Sequence, residues 1–268
     1  MLPDPRLDGY DAEILNVSSL IIDSGDLPYP SMPVPPYRLV ENGAWRLASA
    51  FIPAAPGYFS GPRPLDWTTY LLVKDGITWM SIVPMEIESQ LPHLAAARGT
   101  VVVCGLGLGL MAYAVSARQA VSRVVVVERD PEIIAMFRKF AAFDAWAQRG
   151  KVDIVCADAR EFRLDGVDFL YADIWPNYRM DTMVSDMAAI HRGIPAPLCG
   201  YWGQELDMVD FALDQGVAVE DFDHRHVEAF AEFYGLPLTG LEESRYPALC
   251  RLAARNPAIG QKRIPVTG

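Results

Sequence analysis

The sequence predicts an α/β fold built on a central, mostly parallel sheet with helices on both faces. Apolar runs alternate with segments of helical spacing from residue 100 onward, and the runs predicted as strands cover 100–104, 123–128, 151–156, 167–172 and 197–202. Continuous apolar runs are typical of parallel strands, because such a sheet is buried on both faces. A second observation is that the first run enters three alternate glycines, Gly105, Gly107 and Gly109. Glycines at this spacing let a strand turn sharply into a helix and leave room for a ligand against the backbone.

Helical spacing and end signals place the remaining elements of this domain. The predicted helices cover 85–97, 109–118, 131–146, 159–163, 178–191, 205–215, 226–234 and 244–254. Asp130-Pro131 is a typical helix start, with the acid as cap and proline at the first helical position. We therefore expect residues 84–268 to form a Rossmann-like domain with a helical C-terminal extension.

Residues 1–83 are predicted to form a separate proline-rich segment that ends in a β-hairpin. Eleven prolines within residues 1–66 exclude long helices and central strands there. We expect short strands at 37–40 and 45–51, and a hairpin around Asp75-Gly76, a pair that favours a tight turn. The loop at 54–62 has two interpretations, a packed connector or a substrate lid.

Charge and cysteine content narrow the classes of function. The formal net charge of −11 argues against a nucleic-acid backbone or an anionic membrane surface as the main partner and suits a small-molecule substrate. The widely spaced cysteines are interpreted as reduced core residues; they are Cys104, Cys156, Cys199 and Cys250. We find no secretory signal pattern and no apolar run of about 20 residues. The sequence therefore predicts a cytoplasmic protein.

Acidic residues follow four of the predicted strands, at the sheet edge where open α/β sheets bind ligands. Glu128 ends the second strand, where a carboxylate accepts hydrogen bonds from ribose hydroxyls, so the sequence indicates a nucleotide-derived cofactor. Asp173 follows the fourth strand and is predicted to orient or deprotonate an acceptor. Asp158 and Glu205 are further candidates, each with a structural alternative: a helix N-cap for Asp158 and a first-turn stabiliser for Glu205.

Aromatic residues accompany these carboxylates. Trp175, Tyr178 and Tyr201 are candidate substrate-binding residues, because aromatic faces attract cations; core packing is the alternative for Trp175. His224 and His226 lie among acidic residues, but without a defined third ligand they are poor evidence for a metal. We interpret that segment as a solvated helix start and expect no metal site.

The glycine spacing resembles motif I of the class I S-adenosylmethionine-dependent methyltransferases, since Leu110 stands where a dinucleotide motif has glycine or alanine. The stretch from the hairpin to Asp173 further resembles the spermidine synthase (polyamine aminopropyltransferase) branch of that superfamily. The shared segments are Leu71–Gly76, Pro84–Gln90, the glycine loop, Glu128 with Asp130-Pro131, Ala157–Phe162 and Asp173. The resemblance implies the Rossmann-like methyltransferase fold, S-adenosylmethionine as cofactor and a homodimer.

The resemblance also implies roles for individual residues. Glu128 would hold the ribose and Asp158 the adenine, while Gln90 would lie near the sulfonium and Asp173 would deprotonate an attacking amine. The predicted cofactor-binding residues are Gly105, Gly107, Gly109, Glu128, Arg129, Asp158, Ala159 and Gln90, and the predicted catalytic residues are Asp173 and Glu205.

The chain departs from spermidine synthases at positions that recognise amines. Leu108 stands where they carry an aspartate that grips the aminopropyl amine, Ser89 where they carry a tyrosine, and Trp79 or Thr78 near their hairpin glutamine. Our first hypothesis is therefore methyl transfer to a small polar or cationic metabolite. The alternatives are aminopropyl transfer from decarboxylated S-adenosylmethionine and a non-catalytic binding module that retains the fold.

Overall fold

A computed structural model describes residues 20–259 of the chain. The strands are β1 (Leu20–Ile22), β2 (Met32–Val34), β3 (Glu41–Asn42), β4 (Trp45–Ala50), β5 (Ala54–Ala55), β6 (Arg63–Pro64), β7 (Thr69–Lys74), β8 (Ile77–Ser81), β9 (Gly99–Cys104), β10 (Val121–Glu128), β11 (Val152–Cys156), β12 (Phe169–Ala172) and β13 (Cys199–Tyr201). The helices are α1 (Pro84–Ala96), α2 (Leu110–Ala117), α3 (Pro131–Phe140), α4 (Met183–Gly193), α5 (Gln204–Asp214), α6 (His224–Tyr234) and α7 (Tyr246–Arg255).

The central sheet has five strands in the order β11-β10-β9-β12-β13, and every neighbouring pair is parallel. Numbered within this sheet, the order is third, second, first, fourth and fifth, as in doubly wound Rossmann-like folds. The predicted fold class is confirmed. The strand order reverses between β9 and β12, and such a reversal opens a ligand-binding crevice at the carboxyl ends of the strands.

Three predicted helices differ from the structure because the backbone turns out of the helical region. The helix predicted to reach residue 146 ends at Phe140, and Ala142 adopts a φ of 48°. The helix predicted from residue 178 begins only at Met183, after Arg179 with a φ of 57°. The short helix predicted at 159–163 is a turn, in which the Asp158 carboxylate accepts the backbone N–H of Arg160.

The N-terminal part forms a four-stranded antiparallel sheet in the order β3-β4-β7-β8, with the predicted hairpin between β7 and β8. The strand predicted at 37–40 does not form. That segment instead crosses the Rossmann-like domain, where the Arg38 N–H donates to the Phe140 carbonyl oxygen (2.8 Å). The Trp45 indole and Lys74 ammonium both reach the Asp130 carboxylate, at 3.1 and 3.2 Å, so this sheet is tied to the start of α3. The predictions for residues 1–19 and 260–268 lie outside the described residues.

The loop at 54–62 is a packed connector. Tyr58 and Phe59 are buried, and the Glu88 carboxylate accepts the backbone N–H groups of Phe59 and Ser60. Three of the cysteines are buried as predicted, but Cys156 is exposed. The reason is that β11 is an edge strand of the sheet. Within residues 20–259, no helix has both the length and the apolar character needed to span a bilayer.

A substitution of Gly109 tests how the glycine loop is fitted to its surroundings. Gly109 is the N-cap of α2 with a φ of 75°, and a Cβ there would overlap the ring of the buried Phe137 on α3. We expect Gly109→Ala to lower the free energy of unfolding by about 2–4 kcal/mol, from backbone strain and overpacking together. Urea denaturation measures this loss.

Gly76→Ala is the matched control, because Gly76 also has a positive φ (80°) but no atom within 4 Å of an added Cβ. This variant should lower the free energy of unfolding through backbone strain alone, by about 1 kcal/mol. Equal losses for the two variants would contradict the steric role of Gly109.

Candidate functional site

A cleft of about 200 Å³ lies at the carboxyl ends of β9, β10, β11 and β12. The β7–β8 hairpin and α1 form its opposite side. The residues that line it include Trp45, Lys74, Trp79, Met80, Glu86, Gln90, Gly105, Leu106, Gly107, Glu128, Arg129, Asp130, Asp158, Ala159, Arg160, Tyr171, Asp173, Ile174, Trp175 and Trp202. The cleft is therefore at the strand-order reversal, where the fold predicts a ligand.

Glu128 fixes the glycine loop at the end of β10. Its two carboxylate oxygens accept the backbone N–H groups of Leu106 (3.0 Å) and Asp130 (2.9 Å). On the other side of the loop, the Tyr37 hydroxyl donates to the Leu108 carbonyl oxygen at 2.8 Å. The Leu108 side chain is fully buried in the core and does not line the cleft. The loop thus presents backbone, rather than a charged side chain, to the cleft.

Asp173 is brought to the cleft by the close approach of β9 and β12. Its backbone N–H donates to the Cys104 carbonyl oxygen at 2.8 Å. A Cβ on Gly105 would overlap the carbonyl oxygen of Asp173, so only glycine permits this approach. The carboxylate after β12 consequently lies beside the glycine loop.

Glu86 on α1 forms an acidic floor of the cleft with Asp173. Burial raises the pKa of Asp173 to about 7. Burial and the charge of Asp173 raise the pKa of Glu86 well above its usual range. The Gln90 amide, one helical turn later, donates to Glu86 Oε1 at 3.0 Å. Among the described residues, neither carboxylate has a Lys or Arg as ion-pair partner, and the lining cations Lys74 and Arg160 pair with other acids, so the floor has no compensating cation.

The cations Lys74 and Arg160 of the lining are paired with carboxylates. Lys74 lies 3.2 Å from Asp130, and Arg160 lies 2.7 Å from Asp186. Asp186 also accepts the Trp175 indole N–H at 2.9 Å, which fixes the ring that lines the cleft. Trp175 is therefore both packed in the core and part of the cleft lining, so the two predicted positions, in the core and at the site, are compatible.

Four residues predicted for the site lie outside the cleft, namely Gly109, Tyr178, Tyr201 and Glu205. Gly109 packs on Phe137, and the Tyr178 ring stacks on Trp202 with centroids 3.8 Å apart. The hydroxyl of Tyr201 donates to Asp207 at 2.9 Å. The others predicted, namely Gly105, Gly107, Glu128, Arg129, Asp158, Ala159, Gln90, Asp173 and Trp175, line one cleft.

The structure places Glu205 in the protein interior rather than at the site. Its carboxylate is fully buried and accepts the hydroxyls of Tyr246 (2.7 Å) and Tyr58 (3.2 Å). Those tyrosines come from α7 and from the connector at 54–62. Glu205 therefore joins distant parts of the chain, and the strand-end pattern alone does not distinguish this position from a catalytic one.

The sequence interpretation missed several residues of the cleft. Glu86 resembles an ordinary first-turn helix acid, and Tyr171 lies inside an apolar strand. Trp45 and Trp79 come from the N-terminal sheet, whose position over the domain is a tertiary property. One signal was present: Glu86 precedes Gln90 by four residues, which places the two on one helix face.

Comparison with known proteins gives fold-level likeness only. No family model matches the sequence, and no curated protein is significantly similar to it. The solved spermidine synthase from Thermotoga maritima is 14% identical, covering 65% of this chain and 58% of that one at a TM-score of 0.37. A spermidine synthase in complex with the transition state analogue AdoDATO is 13% identical, covering 67% of this chain and 60% of that one (TM-score 0.36). The 23S rRNA methyltransferase ErmE is 18% identical, with 36% of each chain covered and a TM-score of 0.28.

These matches span between about a third and three-fifths of the length of the proteins concerned. The fold assignment made above depends on the sheet topology instead.

The interior position of Glu205 predicts a specific dependence of stability on pH. Burial raises its pKa from 4.5 to about 7 in the folded protein. The folded state therefore binds a proton more tightly than the unfolded state, and stability falls as pH rises from about 4.5 to 7, by about 1.4 kcal/mol per unit. We expect Glu205→Gln, which stays neutral, to remove about 2–3 kcal/mol of this fall.

Urea denaturation at several pH values measures the effect. The exposed Glu242 gives a matched control, Glu242→Gln. If the free energy of unfolding of Glu205→Gln depended on pH in the same way as that of the wild type, Glu205 would not be the source of this dependence.

Proposed function

We propose that this protein is an S-adenosylmethionine-dependent transferase, with methyl transfer to a small polar or cationic metabolite as its first candidate reaction. The observation that carries the proposal is the convergence of three strand-end carboxylates, Glu128, Asp158 and Asp173, with the glycine loop on one cleft. Each carboxylate follows a different parallel strand, as a nucleoside-binding site in this fold requires. A homodimer stays a prediction.

The chemistry of the lining fits a cationic nucleoside cofactor. Glu128 would hold the ribose next to the glycine backbone, and Asp158 would face the adenine, with Ala159 and the exposed Arg129 beside it. The acidic floor of Glu86 and Asp173 suits the positive charge of a sulfonium. When bound, the cofactor supplies an electrophilic carbon on sulfonium.

Asp173 would accept a proton from the acceptor and orient it next to the sulfonium of the cofactor. A carboxyl with a pKa of about 7 is ionised in a large fraction of molecules at neutral pH, and it accepts a proton efficiently there. It lines the same cleft as the glycine loop, so its carboxylate can accept a hydrogen bond from an acceptor N–H or O–H and orient the nucleophile. Trp175 and Trp202 exclude water on the side of β12 and β13. Positioning then supplies most of the rate enhancement.

Aminopropyl transfer from decarboxylated S-adenosylmethionine is the second candidate. The observation that favours it is the acidic floor without a compensating cation, which disfavours the carboxylate of an intact methionine tail. Leu108 argues against aminopropyl transfer, because it is buried and the glycine loop carries no charged side chain to bind the aminopropyl amine. Separate incubation with the intact and the decarboxylated donor distinguishes the two reactions.

A comparison of two ligands tests the role of Asp173 without knowledge of the acceptor. S-adenosylmethionine is a sulfonium cation, whereas S-adenosylhomocysteine is the neutral thioether of nearly the same shape. As pH rises through 7, Asp173 ionises and should strengthen binding of the sulfonium relative to the thioether. We expect the affinity ratio measured by calorimetry to rise about tenfold from pH 6 to 8, which corresponds to about 1.4 kcal/mol.

Asp173→Asn should abolish this rise, whereas Asp153→Asn, a surface change in an exposed ion pair with Arg123, should keep it. Once an acceptor is known, Asp173→Asn should lower kcat by about 10²- to 10⁴-fold. A wild-type protein that binds neither ligand would overturn the proposed function. A tenfold rise of the affinity ratio from pH 6 to 8 that persists in Asp173→Asn would overturn the role of Asp173.

A further inference from the structure

The inner end of the cleft contains polar groups with unused hydrogen-bonding capacity. Glu86 and Gln90 lie one turn apart on α1, and the hydrogen bond from the Gln90 amide to Glu86 Oε1 (3.0 Å) fixes both side chains. That bond leaves Gln90 Oε1 as the free end of the amide. Gln90 is fully buried, and its Oε1 has no hydrogen-bond partner within residues 20–259.

Tyr171 supplies a second such group. It precedes Asp173 by two residues, so the two project to the same side of the β12 edge. Its ring packs on His93 with centroids 4.9 Å apart, which holds the side chain in place. The Tyr171 hydroxyl is fully buried at the cleft and is unpaired among the residues that the structure describes.

Unsatisfied buried polar atoms are costly, at about 1–3 kcal/mol each, so two of them on one cleft point to a ligand that pairs with both. The two orphan oxygens lie beside two carboxylates, Glu86 and Asp173, and the charges of both act on Tyr171. An anion would be repelled there. A ligand group with a positive charge and several N–H donors matches all four side chains.

We propose that Glu86, Gln90 and Tyr171 form a binding subsite for an alkylammonium group at the inner end of the cleft, next to Asp173. The three N–H donors of a primary ammonium match three acceptors, namely Glu86, Gln90 Oε1 and the Tyr171 oxygen. This inference rests on the proposed function, since the ammonium belongs either to the tail of the donor or to the acceptor. The buried Leu108 leaves the glycine loop without a carboxylate for that task, so α1 and β12 supply it.

Calorimetry on the full chain at pH 8 with three probes tests the subsite. 5′-Methylthioadenosine contains the nucleoside and sulfur but no amine tail. S-adenosylhomocysteine adds the amine-bearing tail, and butane-1,4-diamine represents an amine acceptor. The diamine is titrated both with and without saturating 5′-methylthioadenosine.

The test variants are Glu86→Gln and Tyr171→Phe, which remove a carboxyl group and a hydroxyl with little change of shape. The controls are Glu161→Gln and Tyr234→Phe, at exposed positions. Both test variants should lower the affinity for an amine-bearing ligand at least tenfold and change the affinity for 5′-methylthioadenosine less than twofold. Thermal denaturation checks that each variant is folded.

The pattern of loss identifies the source of the ammonium. Weaker binding of S-adenosylhomocysteine assigns the subsite to the donor tail, and weaker binding of the diamine assigns it to the acceptor. Unchanged affinity for both amines in folded variants would overturn the proposal, as would a wild-type protein that binds neither amine. Failure of the wild type to bind 5′-methylthioadenosine would instead overturn the proposed function, and the diamine titration alone would still test the subsite.

Discussion

The site depends on the contact between the end of β9 and the end of β12. The N–H of Asp173 donates to the Cys104 carbonyl oxygen, and Gly105 leaves room for the backbone of Asp173 against the glycine loop. Glu128 fixes the other side of the same loop through the Leu106 amide. Because β9, β10 and β12 are joined at this point, Glu128 and Asp173 face one cleft instead of separate surfaces. A side chain at position 105 would separate β9 from β12 and remove Asp173 from the site.

Burial of acids has different consequences in the cleft and in the protein interior. In the cleft, burial raises the pKa values of Glu86 and Asp173, and the two acids together attract cations. In the interior, Glu205 meets the same desolvation but is surrounded by tyrosine hydroxyls that join α7 to the connector. The first arrangement leaves hydrogen-bonding capacity for a ligand, whereas the second uses that capacity within the protein. Hydrogen-bond partners therefore separate Glu86 and Asp173 from Glu205, whereas burial does not.

Local pattern in the sequence was sufficient to predict the parallel sheet, the hairpin and the edge of the sheet at which the cleft opens. It was also sufficient to place Asp173 at this cleft, because the carboxyl ends of parallel strands lie at one edge of the sheet. It failed for Glu205, since a helix turn after a strand can face the core as well as the cleft. It also missed Glu86 and Tyr171, because their meeting depends on how α1 lies over β12. Tertiary packing, which local pattern does not encode, decides those positions.

The central claim is that this cleft holds an adenosyl cofactor with its sulfur toward Asp173. The most direct measurement is a crystal structure of the protein with S-adenosylhomocysteine. We expect the ribose hydroxyls to contact Glu128, the adenine to lie beside Asp158, and the sulfur to face the floor formed by Glu86 and Asp173. A ligand bound elsewhere on the protein would contradict this site, as would one in this cleft with its sulfur directed away from Asp173.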